Sequence, residues 1–191
     1  MVSGAGAAGF ASGPPGGRRL VAAALPATWT DTPASWGTPG AVLWISYVAK
    51  LAAAITPDGR FGGLTLHENG FNDPSQKMFF GAPFYNDEPG RLPNWGFDRP
   101  GLAQPLYTDV PVTTEPTLLV AKLTFENPGA QIEVWVDPLL GDEAALPPAD
   151  LEVDHPSMRF NALGLNSNLD GFLADEVRMG PSFASVTPSE N

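Results

Sequence analysis

The segment TLLVAKLTFENPGAQIEVWVDP, residues 117–138, constrains the fold of this chain more than any other. Apolar residues occupy alternate positions 119, 121, 123 and 125 in its first half and 132, 134 and 136 in its second. A period of two is typical of β-strands with one buried face. Asn127-Pro128-Gly129 separates the halves and is a turn signal. The segment therefore predicts an antiparallel hairpin whose odd-numbered residues in the first strand face the core.

Strand signals recur along the rest of the chain. Residues 41–55 are rich in β-branched and aromatic side chains, which favours a strand buried on both faces. Pro57-Asp58-Gly59 follows, and residues 60–68 form the next strand signal, so these two segments predict a second hairpin. Further strands are expected within 76–85, 88–98, 157–166 and 171–180, with a proline-rich crossover at 139–153 and a tail or final turn from 181.

Composition agrees with a turn-rich β fold. The 191 residues include 21 glycines and 21 prolines, which favour many turns over long helices. Apolar residues make up 43%, enough for a substantial core. The spacing of strands and turns predicts an all-β, two-sheet antiparallel jelly-roll sandwich. We expect a Gly/Ala/Pro-rich arm with at most one short strand at 1–40, the sandwich at 41–188, and a tail at 189–191.

Charge and side-chain inventory exclude several partners. The net charge of -11 lacks the basic footprint that nucleic acids and anionic membranes require. The chain has no cysteine and two histidines, so thiolate or multi-histidine zinc sites are hard to build. Residues 41–55 are too short for membrane insertion, and no signal peptide is visible near the N-terminus. Neutral glycans, calcium and other proteins remain as candidate partners.

The segment DGFLADEVRMGPSFASVTP near the C-terminus resembles the closing signature of bacterial laminin-G-like, concanavalin A-like domains, from the lectin and glucanase jelly rolls. The residues that match are Gly171, Asp175, Glu176, Val177, Arg178 and Met179. Earlier segments, including 42–51, 63–70 and 117–143, are similar to the strands of that family. The resemblance covers about residues 41–188 and implies a concanavalin A-like jelly roll of the non-catalytic branch, carried by exported bacterial proteins. It implies no definite ligand, because this fold hosts many functions.

One departure from the family concerns the N-terminus. Relatives carry an N-terminal strand beside the closing strand, whereas the corresponding region here is Gly/Ala/Pro-rich. Either that strand is irregular or the edge of the closing strand is open to another chain.

Paired carboxylates are the first candidates for catalysis. Asp175 and Glu176 are adjacent on a strand and therefore point to opposite faces. Related glucanases carry Glu-x-Asp-x-x-Glu, a pattern absent from this chain, and Glu152 and Asp154 lack the third acid. The sequence favours a non-enzyme. Asp175 is expected to be a buried, hydrogen-bonded framework carboxylate, and Glu176 to form a salt bridge with Arg178.

Two kinds of binding site have candidate residues. The resemblance makes calcium a candidate ligand, although no cofactor is certain, and the oxygen-rich loops contain Asn72, Asp73, Asp87 and Asp170. Turn chemistry explains the same residues without a metal. A glycan surface would use exposed aromatic rings, and its candidates are Trp135 with Glu133 and Asp137 on a polar strand face, together with Trp95 and Tyr85. The alternative for Trp135 is cover for the sheet or a subunit contact.

Three functions follow, in order of preference. The first is a non-catalytic binding or adhesion module of an exported bacterial protein that recognises a glycan or protein on a cell surface. The second is a self-assembling structural subunit of a surface layer or filament that uses an open sheet edge. The third is a polysaccharide hydrolase or lyase. The first two place the protein outside the cell or at its surface.

Overall fold

In the part of the chain that the structure describes, the strands form two antiparallel six-stranded sheets and one two-stranded ribbon. The computed structural model describes residues 8–9, 20–21, 30–31, 35–52, 61–69, 73–83, 94–168 and 171–188. The strands in chain order are β1 (Ala8–Gly9), β2 (Leu20–Val21), β3 (Thr30–Asp31), β4 (Ser35–Trp36), β5 (Val42–Leu51), β6 (Gly62–His67), β7 (Gln76–Ala82), β8 (Asn94–Asp98), β9 (Leu106–Pro111), β10 (Thr117–Phe125), β11 (Ala130–Val136), β12 (Leu151–His155), β13 (Ala162–Ser167) and β14 (Phe172–Gly180). A one-turn helix, α1 (Phe183–Val186), follows β14, and 3-10 turns lie at Asp73–Ser75 and Glu143–Ala145.

The pairing of strands gives the sandwich its jelly-roll wrap. The first sheet has the order β1-β14-β5-β10-β11-β12, and the second has β2-β13-β6-β7-β8-β9. Consecutive strands β5 and β6 lie in different sheets, as do β13 and β14, while β5 pairs with β14 and β6 with β13. This nested pairing across two sheets is the jelly-roll arrangement. The predicted all-β, two-sheet antiparallel sandwich is therefore confirmed.

The hairpin predicted at 117–138 is present as β10 and β11. Its register runs from Leu119 opposite Val136 to Phe125 opposite Ala130. Alternate side chains of β10, beginning with Leu119, are buried between the two sheets, as the period-two pattern predicts.

The other predicted hairpin, between residues 41–55 and 60–68, is wrong. Both strands exist, but β5 lies in the first sheet and β6 in the second. The turn signal indicates that the chain reverses there, and it does not specify the hydrogen-bonding partner. Both edges of β5 are occupied by β10 and β14, which leaves no edge for β6. The predicted burial of β5 on both faces is confirmed.

The main core lies between the sheets and contains large aromatic side chains. Trp36 packs edge-on against Phe160 with ring centroids 4.4 Å apart. Across the core, the Tyr47 hydroxyl on β5 donates a 2.6 Å hydrogen bond to the Phe80 carbonyl on β7. This bond ties the first sheet to the second through a fully buried side chain.

The N-terminal 40 residues contain more strand than expected. The sequence favours at most one short strand, whereas four two-residue strands, β1 to β4, lie there. Strand β1 pairs with β14 at Ala174 and Leu173. Backbone groups at a sheet edge pair with any extended segment, so side-chain patterns that find long strands miss two-residue ones. Trp36 of β4 belongs to the main core, and the division of the chain at residue 40 stays a prediction.

The chain after β14 also differs from the expectation of a tail or turn. Phe183 and Val186 of α1 are buried against the outer face of the first sheet. Likewise, the proline-rich crossover ends in strand β12, which pairs with β11. Within the described residues, no helix has the length and apolar character needed to cross a bilayer.

Candidate functional site

Four side chains form a row across the outer face of the first sheet. Trp44 on β5 lies opposite Lys122 on β10, which lies opposite Glu133 on β11, which in turn lies opposite Glu152 on β12. Directly opposed residues on antiparallel strands bring their Cβ atoms to about 4.5–5.5 Å. The backbone register therefore brings an indole, an ammonium and two carboxylates together without any loop.

Lys122 lies at the centre of this row. Its Nζ is 3.4 Å from Glu133 Oε2 and 3.6 Å from Glu143 Oε1, which extends from the 3-10 turn after β11. The same ammonium lies 5.3 Å from the centroid of the Trp44 ring, within the range of a cation–π contact. These contacts hold a basic donor among carboxylate acceptors.

Trp135 lies on the face predicted for it but is not exposed. Its side chain is on the outer face with Glu133, yet only 4% of the residue is accessible. The ring stacks on Trp44 with centroids 5.5 Å apart and an interplanar angle of 23°. Its Nε1–H donates to the Pro147 carbonyl at 3.0 Å. The prediction of an exposed aromatic platform at Trp135 is wrong, because the ring is covered.

Two segments supply that cover. Helix α1 places Phe183 5.4 Å from the Trp44 ring, and the proline-rich segment places Leu146 and Ala149 against the same cluster. Helix α1 is distant from Trp135 in sequence, and the proline-rich segment lacks a periodic apolar pattern. Strand alternation therefore identifies the face and cannot tell whether another segment covers it.

A cavity of about 650 Å³ remains between the polar row and the proline-rich segment. Its charged walls are four carboxylates and the single ammonium of Lys122. The lining residues are Trp44, Lys122, Glu133, Trp135, Asp142, Glu143, Ala144, Leu146, Pro147, Pro148, Ala149 and Glu152. This outer-face cavity combines many hydrogen-bond acceptors, one strong donor and apolar walls. Its volume falls within the range of small-ligand sites.

The remaining predicted ligand-binding residues lie elsewhere. Trp95 has no accessible surface and is part of the main core, so the prediction that it binds a ligand at the surface is wrong. Asp137 is exposed and accepts a 2.6 Å hydrogen bond from the Leu118 backbone N–H. This bond links the two strands at the open end of the β10–β11 hairpin. Tyr85 lies outside the described residues.

The calcium candidates are largely outside the described part of the chain. Asn72, Asp87 and Asp170 are not described, and Asp73 is described only as the start of a 3-10 turn. Among the residues that are described, no group of three or more His, Asp or Glu side chains is placed to hold a metal ion. Calcium binding by these loops stays a prediction.

The closing signature has a structural role at the edge of the first sheet. Gly171 immediately precedes β14 and has φ of 75°, and its carbonyl accepts a 2.7 Å hydrogen bond from the Ala52 N–H. A β-bulge lies between Asp175 and Arg178, where Glu176 has φ of 57°. Asp175 Oδ1 accepts a 2.8 Å hydrogen bond from the Glu176 N–H.

The bulge alters the expectation for Asp175. Its side chain is half-buried, not enclosed within the sandwich, because the extra residue of the bulge interrupts simple alternation. The predicted ion pair between Glu176 and Arg178 is present. Neither carboxylate lines the outer-face cavity.

Sequence reasoning did not assign Trp44, Lys122, Asp142 or Glu143 to a ligand site, and it considered Glu152 only as a catalytic acid beside Asp154. Lys122 alternates with the core-facing residues of its strand, which predicts an outward-facing side chain, but its neighbours depend on the pairing register of four strands. A search for carboxylates across paired strands, as well as along one strand, would have brought Glu133 and Glu152 together.

The chain matches no family model and no curated protein. Among solved structures it is similar to a bifunctional GH43-CE protein of Bacteroides eggerthii, with 13% identity and a TM-score of 0.48 over 87% of this chain. The chain spans 22% of the length of that protein. It is also similar to the basic winged bean lectin, solved with Tn-antigen, with 9% identity and a TM-score of 0.36 over 83% of this chain and 77% of the lectin. Because both TM-scores are below 0.5, the assignment of the architecture rests on the observed strand pairing and not on these similarities.

Proposed function

We propose that this protein is a non-catalytic binding module that takes a neutral glycan into the outer-face cavity. We further propose that it acts at a cell surface as part of an exported bacterial protein, consistent with its resemblance to laminin-G-like domains. The cross-strand row of Lys122, Glu133 and Glu152 along one wall of a 650 Å³ cavity is the observation that carries the proposal.

The chemistry of the cavity suits a ligand rich in hydroxyl groups. Carboxylates accept hydrogen bonds from hydroxyls, and Lys122 donates to hydroxyl or ring oxygens. The side chains of Lys122 and Glu133 are each 24% accessible, so both are held in place and still reach solvent. The Trp44 Nε1–H has no acceptor among the described residues, which leaves a buried donor for a ligand oxygen that reaches it.

The charge of the cavity favours neutral over anionic glycans. Four carboxylates against one ammonium repel uronate and sulfate groups. The net charge of -11 over the whole chain acts in the same direction. A neutral oligosaccharide meets no such repulsion and uses the carboxylates as acceptors.

A glycan array followed by calorimetry on the strongest neutral oligosaccharide tests the proposal. Replacing Glu133 with Gln keeps the size of the side chain and weakens its hydrogen bonds, so we expect affinity to fall by roughly 10- to 100-fold. Glu115→Gln, at an exposed position outside the cavity, is the matched control and should bind as the wild type does.

Two results would overturn the proposal. One is the absence of binding to every neutral glycan and cell-wall fraction, with and without calcium. The other is binding that Glu133→Gln and Lys122→Met both leave unchanged. Because Glu133 is partly solvated, its substitution should cost at most about 1 kcal/mol of stability, so the variants remain folded.

A second candidate function, hydrolysis of a polysaccharide, is favoured by one observation. Glu133 and Glu152 are register partners on neighbouring strands and both line the cavity. Retaining hydrolases need two carboxyl groups roughly 5–5.5 Å apart, and opposed strand residues can meet that spacing. The test is an assay for release of reducing ends from β-glucans by the wild type and by Glu152→Gln. Activity in the wild type that Glu152→Gln lacks would show that the cavity hydrolyses its ligand.

Self-assembly through an open edge is less well supported. Among the described residues, strand β1 pairs with Leu173 and Ala174 of β14, and the same strand also carries the bulge and the Glu176–Arg178 ion pair. Bulges and charged side chains are the features that prevent edge-to-edge pairing. Light scattering at high concentration distinguishes the alternatives, and we expect a monomer.

A further inference from the structure

A second cavity of about 420 Å³ lies at the end of the sandwich where the β10–β11 turn approaches the segment after β8. It is lined by Arg99, Glu126, Pro128, Gly129, Ala130, Asp154, His155 and Pro156. It shares no lining residue with the outer-face cavity, so a ligand bound here is independent of the proposed glycan function.

The walls of this end cavity are fixed by backbone contacts. His155 Nε2 lies 2.9 Å from the Lys77 carbonyl, and its Nδ1 accepts a 3.2 Å hydrogen bond from the Ser157 N–H. Both ring nitrogens are therefore engaged, and the imidazole serves as a wall. Gly129 packs so closely that an added Cβ would lie 2.0 Å from the His155 carbonyl oxygen.

Three charged groups line this cavity, and none is neutralised by an ion pair within the described part of the chain. Arg99 is half-buried, and its guanidinium donates one hydrogen bond, from Nη1 to the Pro100 carbonyl at 3.1 Å. Its Nε–H is buried without an acceptor among the described residues. Glu126 and Asp154 form none of the ion pairs found among those residues.

Opposite charges thus border one cavity without touching each other. A guanidinium with free donors recognises a carboxylate, and two exposed carboxylates recognise an ammonium. Glu126 and Asp154 would repel a purely anionic ligand. Arg99 would repel a purely cationic one. A ligand that carries both charges satisfies all three groups.

We propose that the end cavity binds a small zwitterion of the α-amino-acid type. Its carboxylate pairs with the Arg99 guanidinium, and its ammonium faces the carboxylates of Glu126 and Asp154. The side chain of the ligand contacts Pro128 and Pro156, which supply apolar walls.

Calorimetry with a panel of free L-amino acids tests this proposal on the full chain. We expect saturable binding by at least one member. Arg99→Gln should weaken that binding by roughly 10- to 100-fold, since a charge-assisted hydrogen bond is lost. Asp154→Asn should weaken it by a smaller factor because the carboxylate is exposed. Glu133→Gln, in the other cavity, should leave amino-acid binding unchanged.

Ligand chemistry provides a test that does not depend on variants folding. The methyl ester of the bound amino acid lacks the carboxylate, and its N-acetyl form lacks the ammonium, so both should bind at least about tenfold more weakly to the wild type. The proposal is overturned if no free amino acid binds. It is also overturned if either blocked form binds as tightly as the zwitterion, or if folded Arg99→Gln binds as the wild type does.

Discussion

The Trp135 side chain illustrates how a single residue can lie on a polar strand face and still be buried. Its ring is enclosed by Trp44 and the proline-rich segment, and its N–H is satisfied by Pro147. The residue is therefore a support for the cavity wall and not a stacking platform for sugars.

Substitutions at Trp135 distinguish these roles. We expect Trp135→Ala to lower the free energy of unfolding by about 3–5 kcal/mol, the usual cost of removing a buried aromatic side chain. Trp135→Phe keeps most of the ring and loses the hydrogen bond to Pro147, which costs about 1 kcal/mol or somewhat more. Urea unfolding followed by circular dichroism measures both. A Trp135→Ala protein as stable as the wild type would contradict the burial of this ring.

Asp175 stabilises the bulge in the closing strand by a local hydrogen bond. Its Oδ1 accepts from the N–H of Glu176, whose φ of 57° is unusual for a residue with a side chain. Asp175→Ala removes the acceptor and should lower the unfolding free energy by about 1 kcal/mol. Asp175→Asn retains an acceptor oxygen and should stay close to the wild type. Equal stability of the two variants in urea would show that this bond contributes nothing.

The pH dependence of stability should carry a contribution from His155. Burial lowers the pKa of this imidazole, with smaller contributions from the charges of Arg99 and Lys77. In the unfolded chain the pKa returns to about 6.5, so below that pH the unfolded state binds a proton that the folded state does not. The stability contribution of neutral His155 is therefore complete above about pH 6.5 and is lost as pH falls towards the lowered folded pKa.

The matched variant is His155→Gln, which does not titrate. We expect its stability deficit relative to the wild type to shrink between about pH 7.5 and about pH 5.5. Asp98, whose pKa is raised by burial, acts in the opposite direction at lower pH, but it is present in both proteins and cancels in the comparison. A deficit that stays constant or grows in acid would contradict the assigned direction of the pKa shift.

At the level of elements, the short helix α1 has an effect out of proportion to its four residues. It buries Phe183 and Val186 against Trp44, and the Ser46 hydroxyl on β5 donates a hydrogen bond to the Val186 carbonyl. The helix thus closes one side of the outer face and leaves the cavity on the other side.

Removing the Phe183 ring tests this role. Phe183→Ala should lower the unfolding free energy by about 3–5 kcal/mol and shift tryptophan emission to the red, because Trp44 becomes accessible to water. Ala184→Ser, at an exposed position on the same helix, should change stability by less than about 0.5 kcal/mol. If Phe183→Ala leaves both stability and emission unchanged, α1 does not pack on the sheet in solution.

At the scale of the whole molecule, the excess of negative charge sets the response to ions. A net charge of -11 on 191 residues produces self-repulsion in the folded state, which salt screens. We expect the thermal unfolding midpoint to rise by about 2–5 °C between low salt and about 0.5 M NaCl. A midpoint that falls over this range would show that attractive ion pairs dominate.

Calcium can be separated from general screening in the same experiment. CaCl₂ and MgCl₂ at equal ionic strength screen equally, so an additional rise with calcium alone would indicate a specific site. Asn72, Asp73, Asp87 and Asp170 are the residues to substitute first, with Asn→Ala and Asp→Ala changes. An equal response to both salts would count against the calcium prediction.

Local sequence patterns are sufficient to predict the class of this fold. Period-two alternation in residues 117–136, turn signals and an abundance of glycine and proline indicate an antiparallel β-sandwich. The closing motif predicted the Glu176–Arg178 pair, because residues two apart on a strand share a face. These features are local, and local patterns fix which residues are strands and which side of each strand is apolar.

Long-range packing selects which strands pair and which faces are covered. The β5–β6 hairpin was mispredicted because a turn reverses the chain without choosing the sheet. The prediction that Trp135 is exposed failed because strand alternation carries no information about the other segments that cover its ring. The row of Lys122, Glu133 and Glu152 depends on the register of three strands, and the end cavity depends on the meeting of two sheets. Such contacts arise from long-range packing, and no short stretch of sequence carries them.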